Sequence, residues 1–118
     1  MVSPLDPQEF LRVADFLGAQ GNQQAELRTA VGRTYYALFL LARAKAHVRS
    51  GDQIHHLVIT ELKKIPGYRP VGEQLDRLRR LRVVADYQML PSDPHYRDWN
   101  QNWAMAQAIA RRILPRLR

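Results

Sequence analysis

The sequence predicts an all-α bundle of four to five helices with up-and-down connectivity, built as one domain over residues 1–118. Three observations carry this. No stretch alternates apolar and polar residues with period two, several stretches repeat apolar residues at three- and four-residue steps, and Pro, Gly, Asp and Ser cluster between them. Asp6-Pro7-Gln8-Glu9 is a capping-box pattern with Pro at the first helical position, so a first helix should run from about Pro7 to Gly18, ended by Gly18 and Gly21. From Asn22 to Arg49 no Pro intervenes and Gly32 is the only glycine, which makes one long second helix stopped by Ser50-Gly51-Asp52. Its apolar residues Leu27, Val31, Tyr35, Leu38, Phe39, Leu41 and Ala42 cover most of the circumference, as in a helix at the middle of a bundle.

Asp52 should cap a third helix reaching about Ile65, with Pro66-Gly67 and Pro70 as its stop. The fourth is expected from about Val71 to Leu90, carrying Leu75, Leu78, Leu81, Ala85 and Met89 on one stripe until Pro91-Ser92-Asp93-Pro94 breaks it. Asp93 before Pro94 repeats the start signal of Asp6-Pro7. The last helix shows Trp99, Trp103, Ala106, Ala110, Ile113 and Leu117 at the helical period, with Pro115 fraying its end.

Composition narrows the function. The chain has no cysteine, which removes disulfide frameworks, thiolate metal sites and thiol nucleophiles together. The longest apolar run, Tyr35 to Ala42, is eight residues, far short of the ~20 a membrane span needs. The first six residues, Met1 to Asp6, have neither a basic start nor an apolar signal core, so a soluble cytoplasmic protein without membrane contact is expected. The net charge of +7 points to a polyanionic partner, and 15 of the 18 basic residues are Arg, the better phosphate fork. Five of them, Arg69, Arg77, Arg79, Arg80 and Arg82, fall within 14 residues, and Arg111, Arg112, Arg116 and Arg118 close the chain. Either these are solvated helix faces or they contact phosphates.

Two stripes single out residues. Arg33, Tyr36, Leu40, Arg43 and His47 fall on one face of the second helix, which must meet water, a partner or a cleft. In the fourth helix Arg82 points into the apolar stripe of Leu75, Leu78, Ala85 and Met89. A charge there needs a partner: Asp86 one turn on would make it a structural brace, whereas a cleft or subunit interface would make it functional. That Arg, together with a second helix apolar on most faces, predicts a homodimer. One of His55 and His56 must face inward. Adjacent His cannot share a helix face and no Asp or Glu stands at a matching step, so neither a metal site nor a cofactor is expected. Trp99 and Trp103 read as core, and no glycine-rich phosphate loop or serine-hydrolase elbow occurs.

The segment Arg33-Thr34-Tyr35-Tyr36-Ala37-Leu38-Phe39-Leu40-Leu41-Ala42-Arg43-Ala44 resembles the R-x-Y-Y-A-x-F-x-x-A-x-A helix of the HEPN superfamily. His55 to Ile59 is similar to the H-x-x-V-I start of its next helix, and Arg82-Val83-Val84-Ala85-Asp86-Tyr87 to the R-x-x-A-D-Y box of a small stand-alone branch. The likeness spans roughly residues 6 to 114. It implies a four- to five-helix bundle that dimerises, the fourth helices of two subunits lining a shared cleft. It also implies RNA as partner. Many members are metal-independent endoribonucleases, acting as toxins encoded beside a minimal nucleotidyltransferase antitoxin or in defence systems. Their signature is an Arg, four to six residues, then a His on the fourth helix. Here Arg82 is followed by Asp86 and Tyr87, and the next His is His95, beyond Pro91.

Two functions follow. In one, the chain cleaves RNA: Arg82 stabilises the phosphorane charge while Asp86, Tyr87, or His55 and His47 from neighbouring helices move protons. In the other, it has lost catalysis and binds RNA, a nucleotide or a nucleotidyltransferase. In both, Arg33, Arg43, His47, Arg77, Arg79 and Arg80 are the expected RNA contacts. Related toxins are silenced by nucleotide transfer to a tyrosine close after the Arg-to-His motif, so the resemblance makes Tyr87 a candidate acceptor of AMP.

Overall fold

The computed structural model describes residues 5–20 and 23–118, so the Met1–Pro4 start and the Gly21–Asn22 junction lie outside the described residues. Among the described residues, five α-helices and one 3₁₀ turn make up the fold. They are α1 (Gln8–Ala19), α2 (Gln24–Lys45), α3 (Ile54–Lys64), α4 (Arg69–Tyr87) and α5 (Trp99–Leu117), with the turn at Pro94–Tyr96 before α5. The all-α reading therefore holds, with no strand among the described residues, and α2 is the central helix, packed against each of the other four. Leu27, Val31, Tyr35, Leu38, Phe39 and Ala42 are buried around it, as the breadth of its apolar face requires. Among the described residues no helix is long and apolar enough to cross a membrane.

The start of α1 forms half of the expected capping box. Asp6 Oδ1 accepts from the Gln8 amide at 2.9 Å, but Glu9 turns forward to Arg12 at 3.2 Å instead of back to the cap. Gly18 does not end the helix. It lies inside α1, where a Cβ would stand 2.3 Å from the Trp103 ring, so glycine is there to let α1 close on α5. The second helix is shorter than its sequence suggests, because the chain leaves it after Lys45 and takes a left-handed turn at His47 (φ 57°). Arg43 fixes that exit, donating Nε to the Val48 carbonyl at 3.0 Å and Nη2 to the Arg49 carbonyl. His47 consequently leaves the stripe it was expected to share with Arg33, Tyr36 and Arg43.

At α3 the cap position is taken by Gln53 in the left-handed region (φ 53°), not by Asp52. Pro70 is a starter rather than a stop: it sits in the first turn of α4, where its missing N–H costs nothing. This helix ends at Tyr87, before the Pro91 break, and Met89 is 95% exposed instead of lying on the apolar stripe. The cause is Arg28 of α2, whose guanidinium takes the carbonyls of Val84, Ala85, Gln88 and Met89 at 2.7–3.3 Å and stacks 4.4 Å from the Trp99 ring centre. Among them the Ala85 and Gln88 carbonyls are orphan acceptors of the helix end, satisfied from a neighbouring helix. Asp93 accepts from the His95 amide as expected, yet it starts only the single 3₁₀ turn. Asp98 caps α5 by accepting from the Asn100 and Gln101 amides, and α5 runs through Pro115 to the buried Leu117. Trp99 and Trp103 are core residues.

Candidate functional site

Three helices build the site. On α2, Tyr35 faces the core with no exposed surface, while Gly32, Arg33 and Tyr36 lie on the adjoining face, Tyr36 40% exposed. The left-handed turn at Gln53 brings α3 in so that His55, in its first turn, meets Tyr35 and His56 faces out. On α4, one turn apart, Arg79 and Arg82 approach the same ring, and Asp86 follows Arg82 along the helix.

The centre is a contact between residues twenty apart in sequence: Tyr35 Oη lies 2.7 Å from His55 Nδ1. Phe39 packs on His55 with ring centres 4.2 Å apart, and Tyr36 and Phe10 continue the aromatic row at 6.3 and 5.2 Å. Arg82 covers Tyr35, with Cζ 5.5 Å from the ring centre, and its Nε stands 3.6 Å from Asp86 Oδ2. That ion pair is loose, with the Arg82 side chain 22% and the Asp86 side chain 45% exposed. Asp86 is thus the nearest carboxylate to Arg82, and Arg82 also stands at an open groove. A groove of about 530 Å³ opens beside this centre, lined by Ala25, Arg28, Thr29, Gly32, Arg33 and Tyr36 of α2 and by Arg82, Ala85 and Asp86 of α4; Tyr35 and His55 are not part of its lining.

Electrostatics set the protonation of the centre. Burial pushes the Tyr35 phenol well above its ordinary value, against the opposing pull of Arg82 and Arg79, so it stays protonated. Burial lowers the His55 imidazole, and the positive charges of Arg82 and then Arg79 lower it further. His55 is a neutral ring near pH 7.

The other expected residues are dispersed. Arg33 lines the groove and lies over Phe10, Cζ to ring centre 5.6 Å. Arg43 is held on the α2 exit, and His47 is exposed on the turn after it. Arg79 and Arg80 share Asp76, at 3.1 and 3.5 Å, and Arg77 is exposed. Tyr87, 74% exposed, ends α4 beside Asp86. His95 stands exposed on the 3₁₀ turn. Among the described residues no three His, Cys, Asp or Glu side chains gather as metal ligands.

Sequence reasoning missed Tyr35 as the partner of His55, Phe39 as its packing surface, and Arg28. Arg28 did leave a signal, since it stands seven residues, two helical turns, before Tyr35 and so shares its inward face. The Tyr35–His55 contact left none, because nothing local relates two helices across the bundle. The chain matches no family model, no curated protein and no solved structure.

Proposed function

We propose that the chain is an RNA-directed protein of the HEPN type, a metal-independent endoribonuclease working as a homodimer in a toxin or defence role. The observation that carries this is Arg82: a guanidinium with spare donors, at the edge of an open groove, coupled through Tyr35 to a neutral histidine. A fork of that kind suits a phosphodiester. In the proposed reaction the 2′-hydroxyl attacks the adjacent phosphorus, forming the O2′–P bond and breaking the P–O5′ bond, to leave a 2′,3′-cyclic phosphate and a 5′-hydroxyl. Arg82 stabilises the charge gathered on the phosphoryl oxygens, where one aimed donor is worth roughly 10²–10³ in rate. Asp86 takes the 2′-hydroxyl proton, and the Tyr87 phenol supplies one to O5′.

Arg33 and the aromatic row support single-stranded RNA as substrate, by phosphate contact and base stacking. Exposed Tyr36 in the groove, with exposed Tyr87, Met89 and Leu90 at and beyond the end of α4, supports a second subunit covering this side. Tyr87 is also accessible as acceptor for AMP from a nucleotidyltransferase antitoxin, its oxygen attacking the α-phosphorus of ATP with loss of pyrophosphate. Tyr87, Gln88 and Met89 stand where the signature would place its His after Arg82, and this favours the second reading, a module that binds RNA, a nucleotide or the nucleotidyltransferase without cleaving.

Purified protein incubated with single-stranded RNA in EDTA separates the two. Cyclic-phosphate ends that disappear in Arg82→Ala support the nuclease, binding without cleavage supports the module, and neither binding nor cleavage overturns both. Sedimentation of a monomer at tens of micromolar would remove the dimer.

A further inference from the structure

Tyr35 Oη has one hydrogen-bond partner among the described residues, His55 Nδ1, and Tyr35 has no exposed surface through which water could serve instead. The phenolic proton therefore has one place to go. Were Nδ1 protonated, Tyr35 would have to accept from it, and its own buried proton would be orphaned. The bond consequently runs from Tyr35 to Nδ1, and in a neutral ring the imidazole proton is left on Nε2. Nε2 has no protein partner among the described residues and is not one of the buried unpartnered atoms, so it meets solvent.

We propose that His55 acts as a neutral hydrogen-bond donor, its Nε2–H offered to a phosphoryl oxygen of a ligand that extends past Tyr35 from the Arg82 groove, and that Tyr35 is the positioning residue that fixes this tautomer. The ligand half rests on the reading of the groove as an RNA site; the tautomer half rests on the fold alone. Desolvation and the charges of Arg82 and Arg79 act in the same direction by disfavouring the imidazolium. Phe39, 4.2 Å away, holds the ring plane. A His in this state has its one ring lone pair committed to Tyr35, so it cannot take the 2′-hydroxyl proton. That task falls to the Asp86 carboxylate, which lines the same groove.

Long-range proton–nitrogen NMR correlation of the imidazole rings tests this on the full chain, with His47→Asn, His56→Gln and His95→Gln leaving His55 as the single histidine. At neutral pH the expected pattern is a protonated Nε2 and a bare Nδ1. A protonated Nδ1, or an imidazolium, overturns the proposal on the free protein before any ligand is added. Tyr35→Phe, if folded, should turn the pattern into a tautomer mixture; an unchanged pattern would remove Tyr35 as the positioning residue. An uncleavable 2′-O-methyl oligoribonucleotide is then titrated, with binding followed separately by fluorescence anisotropy. The Nε2 resonance should shift downfield with the midpoint that anisotropy gives. Binding without that shift overturns the donor role while leaving the RNA reading in place. Absence of binding by anisotropy in the wild-type chain as well overturns the RNA reading and the ligand half with it, leaving the tautomer to stand on its own spectrum.

Discussion

Two arginines approach α4 from opposite situations. At its C-terminal end Arg28 spends its guanidinium on four backbone carbonyls and a tryptophan face, whereas midway along the helix Arg82 has a tyrosine face, a loose carboxylate and an open groove. Both are partly buried cations that line one groove, Arg82 as a residue of α4 and Arg28 reaching α4 from α2. The difference lies in how many donors are committed: a saturated guanidinium holds the fold together, and an unsaturated one is available to a ligand. Charge placement alone would have ranked the two alike.

The largest expected effect tests the unsaturated member. Arg82→Ala should lower RNA cleavage by about 10²–10³-fold, the usual loss of one aimed donor. Its unfolding free energy should stay within about 1 kcal/mol of wild type, because a loose, half-exposed ion pair stabilises little. Cleavage kinetics and urea unfolding on the same preparation check both. A variant that unfolds early would place Arg82 with Arg28 as a structural brace.

Arg28→Ala reverses the pattern. Losing charge-assisted bonds to the end of α4 should cost about 2–3 kcal/mol in urea unfolding, and Arg28→Lys should recover only part, since an ammonium cannot fork across four carbonyls. Unchanged stability would mean that water caps α4 equally well.

The same contrast runs through two helix-interior glycines. Gly18 stands where any Cβ would meet the Trp103 ring at 2.3 Å, so Gly18→Ala should destabilise by about 1–3 kcal/mol through overpacking. Gly32 lies on the groove floor, its nearest obstacle Asp86 Oδ1 at an ordinary 3.6 Å. Gly32→Ala should therefore stabilise by roughly 0.5–1 kcal/mol through helix propensity, measured by thermal or urea unfolding. A destabilised Gly32→Ala would mean that the groove is tighter than its walls suggest.

The residues that could be read from sequence share one property: their neighbours are local. Leu75, Leu78, Leu81 and Ala85 declared their stripe by spacing, and Arg82 declared itself by interrupting it. Met89 followed the same spacing and ended fully outside, because Arg28, some sixty residues earlier, ends the helix two residues before it. Gly18 and Pro70 were misread as stops for a related reason. A glycine can mark a helix end or a close crossing, and only the arrival of Trp103 decides. A proline can follow one helix or open the next, and only the point where α4 begins decides. His55 was legible as one of an inward pair, but its tautomer depends on Tyr35, across the bundle.

The smallest effect is on the pH dependence of stability, and it discriminates between the two arginines without any substrate. His55 is lowered in the folded state by burial first and by Arg82 second, so near its ordinary value of about 6.5 the unfolded chain holds more protons than the native one. Stability then rises with pH: the contribution is complete above the unfolded value and is lost as pH falls through it toward the lowered one. Urea midpoints taken between about pH 7.5 and 5.5 should therefore decline for wild type, and less steeply for His55→Asn, which does not titrate there. Arg82→Ala removes the second cause and should soften the decline in the same sense. Arg28→Ala, less stable throughout, should keep the wild-type slope, because Arg28 is not among the groups that lower His55. Equal slopes in all four proteins would mean that the His55 ring is hydrated enough to titrate as it does in the unfolded chain, and the coupling of Arg82 to His55 through Tyr35 would fall with it.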